Sequence, residues 1–278
     1  MAGKNLDPSS SPRALLGAEL RVARERAGKS QAELGEPLFV SGSFIGQLEA
    51  GTRRMHIEFA RQIDEILDTN GFFARNCGAL AKSKYPNHFA EAAEAEAEAK
   101  TIREYAPLAL PGMLQPEAYA RAVFIAYQPT ATEEVITELV TNRLDRAKLL
   151  SDPTTPLLWC VLDEAVLRRI VGSRAVMAEA LHHISTLIRA RRIFVQVLPF
   201  SAGAHSSMGG TLKLMTFEAA PPLAYVQGNA MGVLLDDPAT VTRHTLTYDL
   251  LTASALSPTD SLAVIESAAE EYEHDQHA

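Results

Sequence analysis

The chain has 278 residues, 47% of them hydrophobic and 22% charged, with 16 glycines and 15 prolines. That composition excludes a disordered, collagenous or coiled-coil protein, and the length fits one large domain or two ordinary ones. The formal net charge of −8 argues against a nucleic-acid binder until it is divided: residues 1–85 carry 12 Lys+Arg and 10 Asp+Glu, net +2, whereas residues 86–278 carry 14 and 24, net −10.

Cys77 and Cys160 lie far apart and form neither a disulfide framework nor a metal half-site, so a reducing, cytoplasmic setting is expected. The polar N-terminus MAGKNLDPSSSPR has no apolar core of signal-peptide length, and the longest uncharged stretches are broken by Pro, Gly and Ser. Neither export nor a membrane span is expected.

The first part reads as short helices. Leu16, Leu20, Ala23 and Ala27 fall at helical spacing from Pro12 onward, and Gly28 sits where a C-terminus favours a left-handed residue. Ser30 restarts the chain with Glu33 completing an S-x-x-E capping box, opening a second helix to about Leu38. Ser41 caps a third that closes at Gly51, and a fourth runs from Ile57 to Leu67, its stripe of Phe59, Ile63, Ile66 and Leu67 closing a small core with Leu20, Leu34, Val40, Ile45 and Leu48.

Next comes HFAEAAEAEAEAKTIREY, residues 88–105, a strong helix former whose exposed face would be an acidic strip. It reads first as a solvated linker helix and second as a partner-docking or DNA-mimicking face. Whether it covers a DNA-binding face stays open at this point. Beyond it, short apolar or β-branched runs predict strands at Leu157–Leu162, Ile193–Leu198, Thr211–Phe217, Leu223–Gln227 and Met231–Leu235. Helices fit Pro116–Tyr127, Thr132–Leu150, Glu164–Ile170, Ala175–Ala190, Ala239–Ala253 and Thr259–Glu273. The expected fold is therefore an all-α domain over residues 1–85 followed by a larger α+β domain over residues 86–278.

Two short helices joined by a tight turn, the second opening on small polar residues, let a helix N-terminus enter the major groove. Ser30 to Gly51 fits this arrangement. There SQAEL followed by VSGSFIGQLEAGTRR resembles the helix-turn-helix of the Xre family, the lambda-repressor-like regulators, over residues 13–67. The resemblance implies that Ser43 and Gln47 read bases, that Gln31, Ser41, Arg53 and Arg54 contact phosphates, and that Arg24 and Glu49 form a structural ion pair. Gly35, Pro37 and Gly42 depart from the family pattern. Pro in a helix interior costs ~3 kcal/mol and Gly about 1, so a bent or short second helix is expected, with specificity leaning on DNA shape. One such unit seldom binds tightly alone, which favours a homodimer.

In the second part, IREYAPLALPGMLQPEAYARAVF, LDEAVLRRIVG, VQVLPFSAGAH and ALSPTDSLAVI resemble the C-terminal domain of actinobacterial WhiJ-like regulators of the Xre type. That resemblance implies a cytoplasmic DNA-binding protein controlled by a small protein partner encoded nearby, in a group described as antitoxin-like. The second reading is an interaction protein that neutralises such a partner, with DNA binding for autoregulation. Enzymatic chemistry is not expected: SAGAHSSMGG around His205 lacks any phosphate-loop spacing, and no cofactor or metal site is indicated. Trp159, Phe194, Phe200, Phe217 and Tyr225 are candidates to line a ligand pocket, against the plainer reading of strand aromatics as core.

Overall fold

The computed structural model describes residues 12–77, 87–152, 154–229 and 231–274. Helix α1 spans Pro12–Arg26, and Gly28 with φ +67° turns the chain out of it. Ser30 then caps α2, Gln31–Gly35, by the expected box: its Oγ accepts from the Glu33 amide at 3.2 Å and its own amide donates to Glu33 Oε2 at 2.7 Å. Pro37 and Gly35 have the predicted effect. The α-helix stops at Gly35, residues Glu36–Leu38 form a 3₁₀ turn, and Phe39 follows at φ +56° with its ring fully in solvent. The bend brings the chain back so closely that a Cβ on Gly35 would lie 2.6 Å from the Val40 carbonyl oxygen.

Ser41 caps α3, Gly42–Glu49, by accepting from the Phe44 amide, and α4 runs Ile57–Leu67 as expected. The sequence reading did not contain the next helix, α5, Phe72–Cys77. It is held by buried Asp64, whose carboxylate accepts from the Phe73 and Ala74 amides at 3.0 and 2.8 Å and from the Thr69 hydroxyl. Leu16, Leu20, Leu34, Ile45, Leu48, Ile63 and Phe73 form the core of this bundle.

Helix α6, Asn87–Glu98, overturns two expectations. It ends early, because Thr101–Ala106 is a strand, β1, and its acids are not a solvated strip: Glu96 is fully buried, and Glu91 and Glu94 are half-buried. Strands β2 (Leu157–Asp163), β3 (Ile193–Leu198), β4 (Thr211–Thr216), β5 (Leu223–Gly228) and β6 (Met231–Leu235) join β1 in one sheet of order β3-β2-β1-β4-β5-β6, within the expected α+β class. β1 pairs β2 in parallel with Thr101 opposite Leu157, and β2 pairs β3 in parallel with Leu158 opposite Ile193. A buried parallel strand reads as a continuous apolar run, as LLWCVLD does.

The remaining helices are α7 (Glu117–Tyr127), α8 (Glu133–Ala147), α9 (Glu164–Arg168), α10 (Arg174–Arg189), α11 (Pro238–Ser254) and α12 (Pro258–His274). α12 packs on α10 and β3, where Ser261 Oγ accepts from the Val197 amide at 2.9 Å.

The chain divides into two compact units, each drawn from separate stretches of sequence. The first holds the described residues up to Ala99 together with Met215–Tyr225 and Gly232–Thr242; the second holds Lys100–Leu214, Val226–Met231 and the chain from Arg243. The acidic helix α6 and two segments from late in the chain thus belong with the helical bundle. In the second unit, Tyr105 OH donates to Asp163 Oδ2 at 3.1 Å and lies 3.1 Å from His205 Nε2, while His205 Nδ1 accepts from the Ser207 amide. Both ring nitrogens are engaged, which pins the SAGAHSSMGG connection to the strand ends.

Candidate nucleic-acid interface

The inner side of the helix-turn-helix is locked by one polar cluster. Arg24 Nε and Nη2 donate to the two Glu49 oxygens at 2.5 and 3.1 Å, the fork geometry a guanidinium offers a carboxylate, and both side chains are buried. Arg24 Nη1 also donates to the Lys29 carbonyl at 2.7 Å, so the pair fixes the end of α1 against α3. The ion pair expected from the sequence is present. Gln31 joins it, donating from Nε2 to Glu49 Oε2 at 2.8 Å with its amide against Gly46. Glycines allow this closeness: a Cβ on Gly17 would meet the Glu49 carbonyl oxygen at 2.5 Å.

The outer side carries the expected base-reading residues. Ser43 and Gln47 are four residues apart and share one face of α3, about 160° round the helix from core residue Ile45 at 100° per residue. An outer face should be open, yet Gln47 is 0% exposed and neither side-chain amide atom has a hydrogen-bond partner among the described residues. Burying such a group unpaired costs about 1–3 kcal/mol. The expectation of a solvent-facing Gln47 is therefore corrected: in this conformation the recognition face is covered.

Asp236, in the turn between β6 and α11, is one cover. Ser43 Oγ donates to the Asp236 carbonyl oxygen at 2.7 Å, Ser41 Oγ to Asp236 Oδ2 at 3.4 Å, and Arg53 Nη1 lies 3.3 Å from Asp236 Oδ2. Glu91 of α6 is the other, with Oε2 3.5 Å from Arg53 Nη2 and Oε1 bonded to His56 Nε2. Arg53 also lies over the Phe44 ring, 4.2 Å from its centroid. Neighbouring Arg54 is half-buried and engaged as well. The Glu91 hydrogen bond raises the pKa of His56. Burial pushes the Glu91 carboxyl up, but His56, Arg53 and Arg54 outweigh it and hold the group below its ordinary value.

A helix-turn-helix domain family matches residues 15–71, and a family described as a domain of unknown function, DUF5753, matches residues 89–267, well over half of the chain. The chain belongs to the DUF5753 family. No curated protein and no solved structure matches it. The helix-turn-helix of this DUF5753 protein supports DNA binding and a role in transcription regulation. Among the described residues no helix is long and apolar enough to cross a membrane.

The five aromatics expected to line a pocket do not do so together. Phe194 and Phe200 are exposed, and Phe217 is half-buried. Tyr225 is buried edge-on against Phe89, and Trp159 lies tilted beside Phe194, ring centroids 6.1 Å apart, while its indole N–H donates to Gln196. The plainer reading of strand aromatics as core holds for Tyr225 and not for the exposed Phe194 and Phe200. Asp236 and His56 are absent from the sequence reading, whereas Glu91 enters it within the acidic strip of the Ala/Glu helix, read second as a partner-docking or DNA-mimicking face.

Proposed function

We propose that this DUF5753 protein is a sequence-specific transcription regulator of the Xre, WhiJ-like kind that binds double-stranded DNA as a homodimer. Ser43 and Gln47 read bases; Ser41, Arg53 and Arg54 hold phosphates; a small protein partner or ligand acts through the C-terminal part. Gln31 supports the interface from behind, because its amide is already held by Glu49. The observation that carries the reading is the division of labour on α3: Ile45, Leu48 and Glu49 build the fold, whereas Ser43 and Gln47 share a face outside the apolar cluster.

The test is binding of the purified chain to the DNA upstream of its own gene over a salt series, beside a random duplex. Phosphate contacts give a steep slope that Arg53→Ala reduces by about 1, and base readout means that Gln47→Ala removes the preference for the upstream site. Loss of neither would overturn the reading. A dimer requires the mass of two chains per duplex in sedimentation.

A further inference from the structure

Three side chains expected to contact DNA, Ser41 and Ser43 at the leading end of α3 and Arg53 beyond its C-terminal end, are committed to one acidic pair. Ser41 and Ser43 bond Asp236, and Arg53 reaches both Asp236 and Glu91. Carboxylates and phosphates make the same demand on a guanidinium or hydroxyl, which is to donate to an anionic oxygen. A serine hydroxyl has one proton to donate, so Ser43 cannot serve Asp236 and a phosphate at once.

The contact is confined to the outer face. The Arg53 distances of 3.3 and 3.5 Å are looser than the 2.5 Å of Arg24 to Glu49, and His56 stays about half exposed. Gln47, which shares the face, is buried with no hydrogen-bond partner among the described residues, as expected of a group shaped for a partner that is not this cover.

We propose that Glu91 and Asp236 form an intramolecular latch over the recognition helix, giving a closed form that holds Ser43, Gln47 and Arg53 away from DNA and an open form that releases them. The latch rests on the DNA-binding reading above and adds its regulation. Apparent affinity falls in proportion to the fraction of open protein. Any ligand or partner that binds residues 232–242 better in the open form raises DNA affinity by the same linkage.

The test compares the full chain with E91Q/D236N, which keeps shape and removes both negative charges, and with E58Q/E65Q, which makes the same charge change on exposed positions of α4. The expected result is that E91Q/D236N binds the upstream duplex about tenfold tighter than the parent, while E58Q/E65Q gains much less. Equal gains in the two variants reduce the effect to bulk charge and overturn the latch. No gain in E91Q/D236N, with the parent still binding, overturns the latch and leaves the DNA-binding reading standing. If neither binds at low salt, the DNA-binding reading falls and takes the latch with it. A second measurement needs no DNA: a thiol reagent should modify Q47C slowly in the parent background and rapidly in E91Q/D236N. Buried Cys77 and Cys160 staying protected shows that the fold is intact. Rapid modification of Q47C in the parent background would overturn the closed form.

Discussion

Two polar clusters flank the recognition helix, and they differ in kind. Arg24, Glu49 and Gln31 are close in sequence, bidentate and buried, with the Arg24 side chain 10% and the Glu49 side chain 5% exposed. Arg53, Glu91 and Asp236 come from three distant stretches and meet at longer distances, with side chains 12%, 22% and 18% exposed beside a half-exposed histidine. A short bidentate pair that loses one member strands a charge in low dielectric, whereas a looser and less completely buried contact contributes less. Charge pairs of similar composition thus serve as a rivet on one face of α3 and a releasable contact on the other.

The largest effect should come from breaking the rivet. Glu49→Ala leaves Arg24 buried and unpaired, and should lower the unfolding free energy of the bundle by about 3 kcal/mol. Glu91→Ala should cost less in the same urea titration, because its contact is longer and Arg53 still faces Asp236. Equal losses would erase the distinction between the two clusters. Gly35→Ala comes next, at about 2 kcal/mol, because the new methyl would lie 2.6 Å from a backbone oxygen that can yield only by opening the turn between α2 and α3.

Gln47→Leu should act with the opposite sign. Replacing an unpaired buried amide by hydrocarbon stabilises the closed form by ~1 kcal/mol while removing base readout. A higher denaturation midpoint together with lost site preference sharpens the comparison, and a lower midpoint would show that the amide has a partner.

The smallest effect is on pH. The pKa of His56 is raised above its ordinary value, first by the Glu91 hydrogen bond, with burial, Arg53 and Arg54 opposing. A raised value means that protonated His56 strengthens the contact. Its contribution is complete below pH ~6.5 and is lost as pH climbs through the raised value. DNA affinity at constant salt should therefore improve about twofold across that interval, a small change because the ring is half exposed. His56→Ala should flatten the profile.

Much of the bundle was legible because its signals are local. The Ser30–Glu33 box, the Ser41 cap, the glycine after α1 and the stripe of α4 each depend on residues within one or two turns. Strand β1 was hidden because it follows the Ala/Glu run almost without punctuation. Its core-facing position Glu104 is also charged, and is ion-paired with Lys213 at 3.1 Å across a sequence gap that no pattern rule spans. Helix α5 escaped notice because a distant carboxylate, Asp64, builds it rather than a cap of its own. At the candidate site, Arg24 and Glu49 could be paired from the resemblance, but the contacts of Asp236 with Ser41, Ser43 and Arg53 join stretches too far apart in the chain for any local pattern to show.

Ser43 and its partner Asp236 are 193 residues apart in the chain. At a synthesis rate of roughly 5–20 residues per second, the recognition helix leaves the ribosome about 10–40 s before the segment that closes over it exists. Every molecule is thus born competent and matures into restraint. A polypeptide that stalls or is cut before Gly232 lacks Asp236 and with it half of its latch, so truncation would yield hyperactive protein rather than merely inactive fragments.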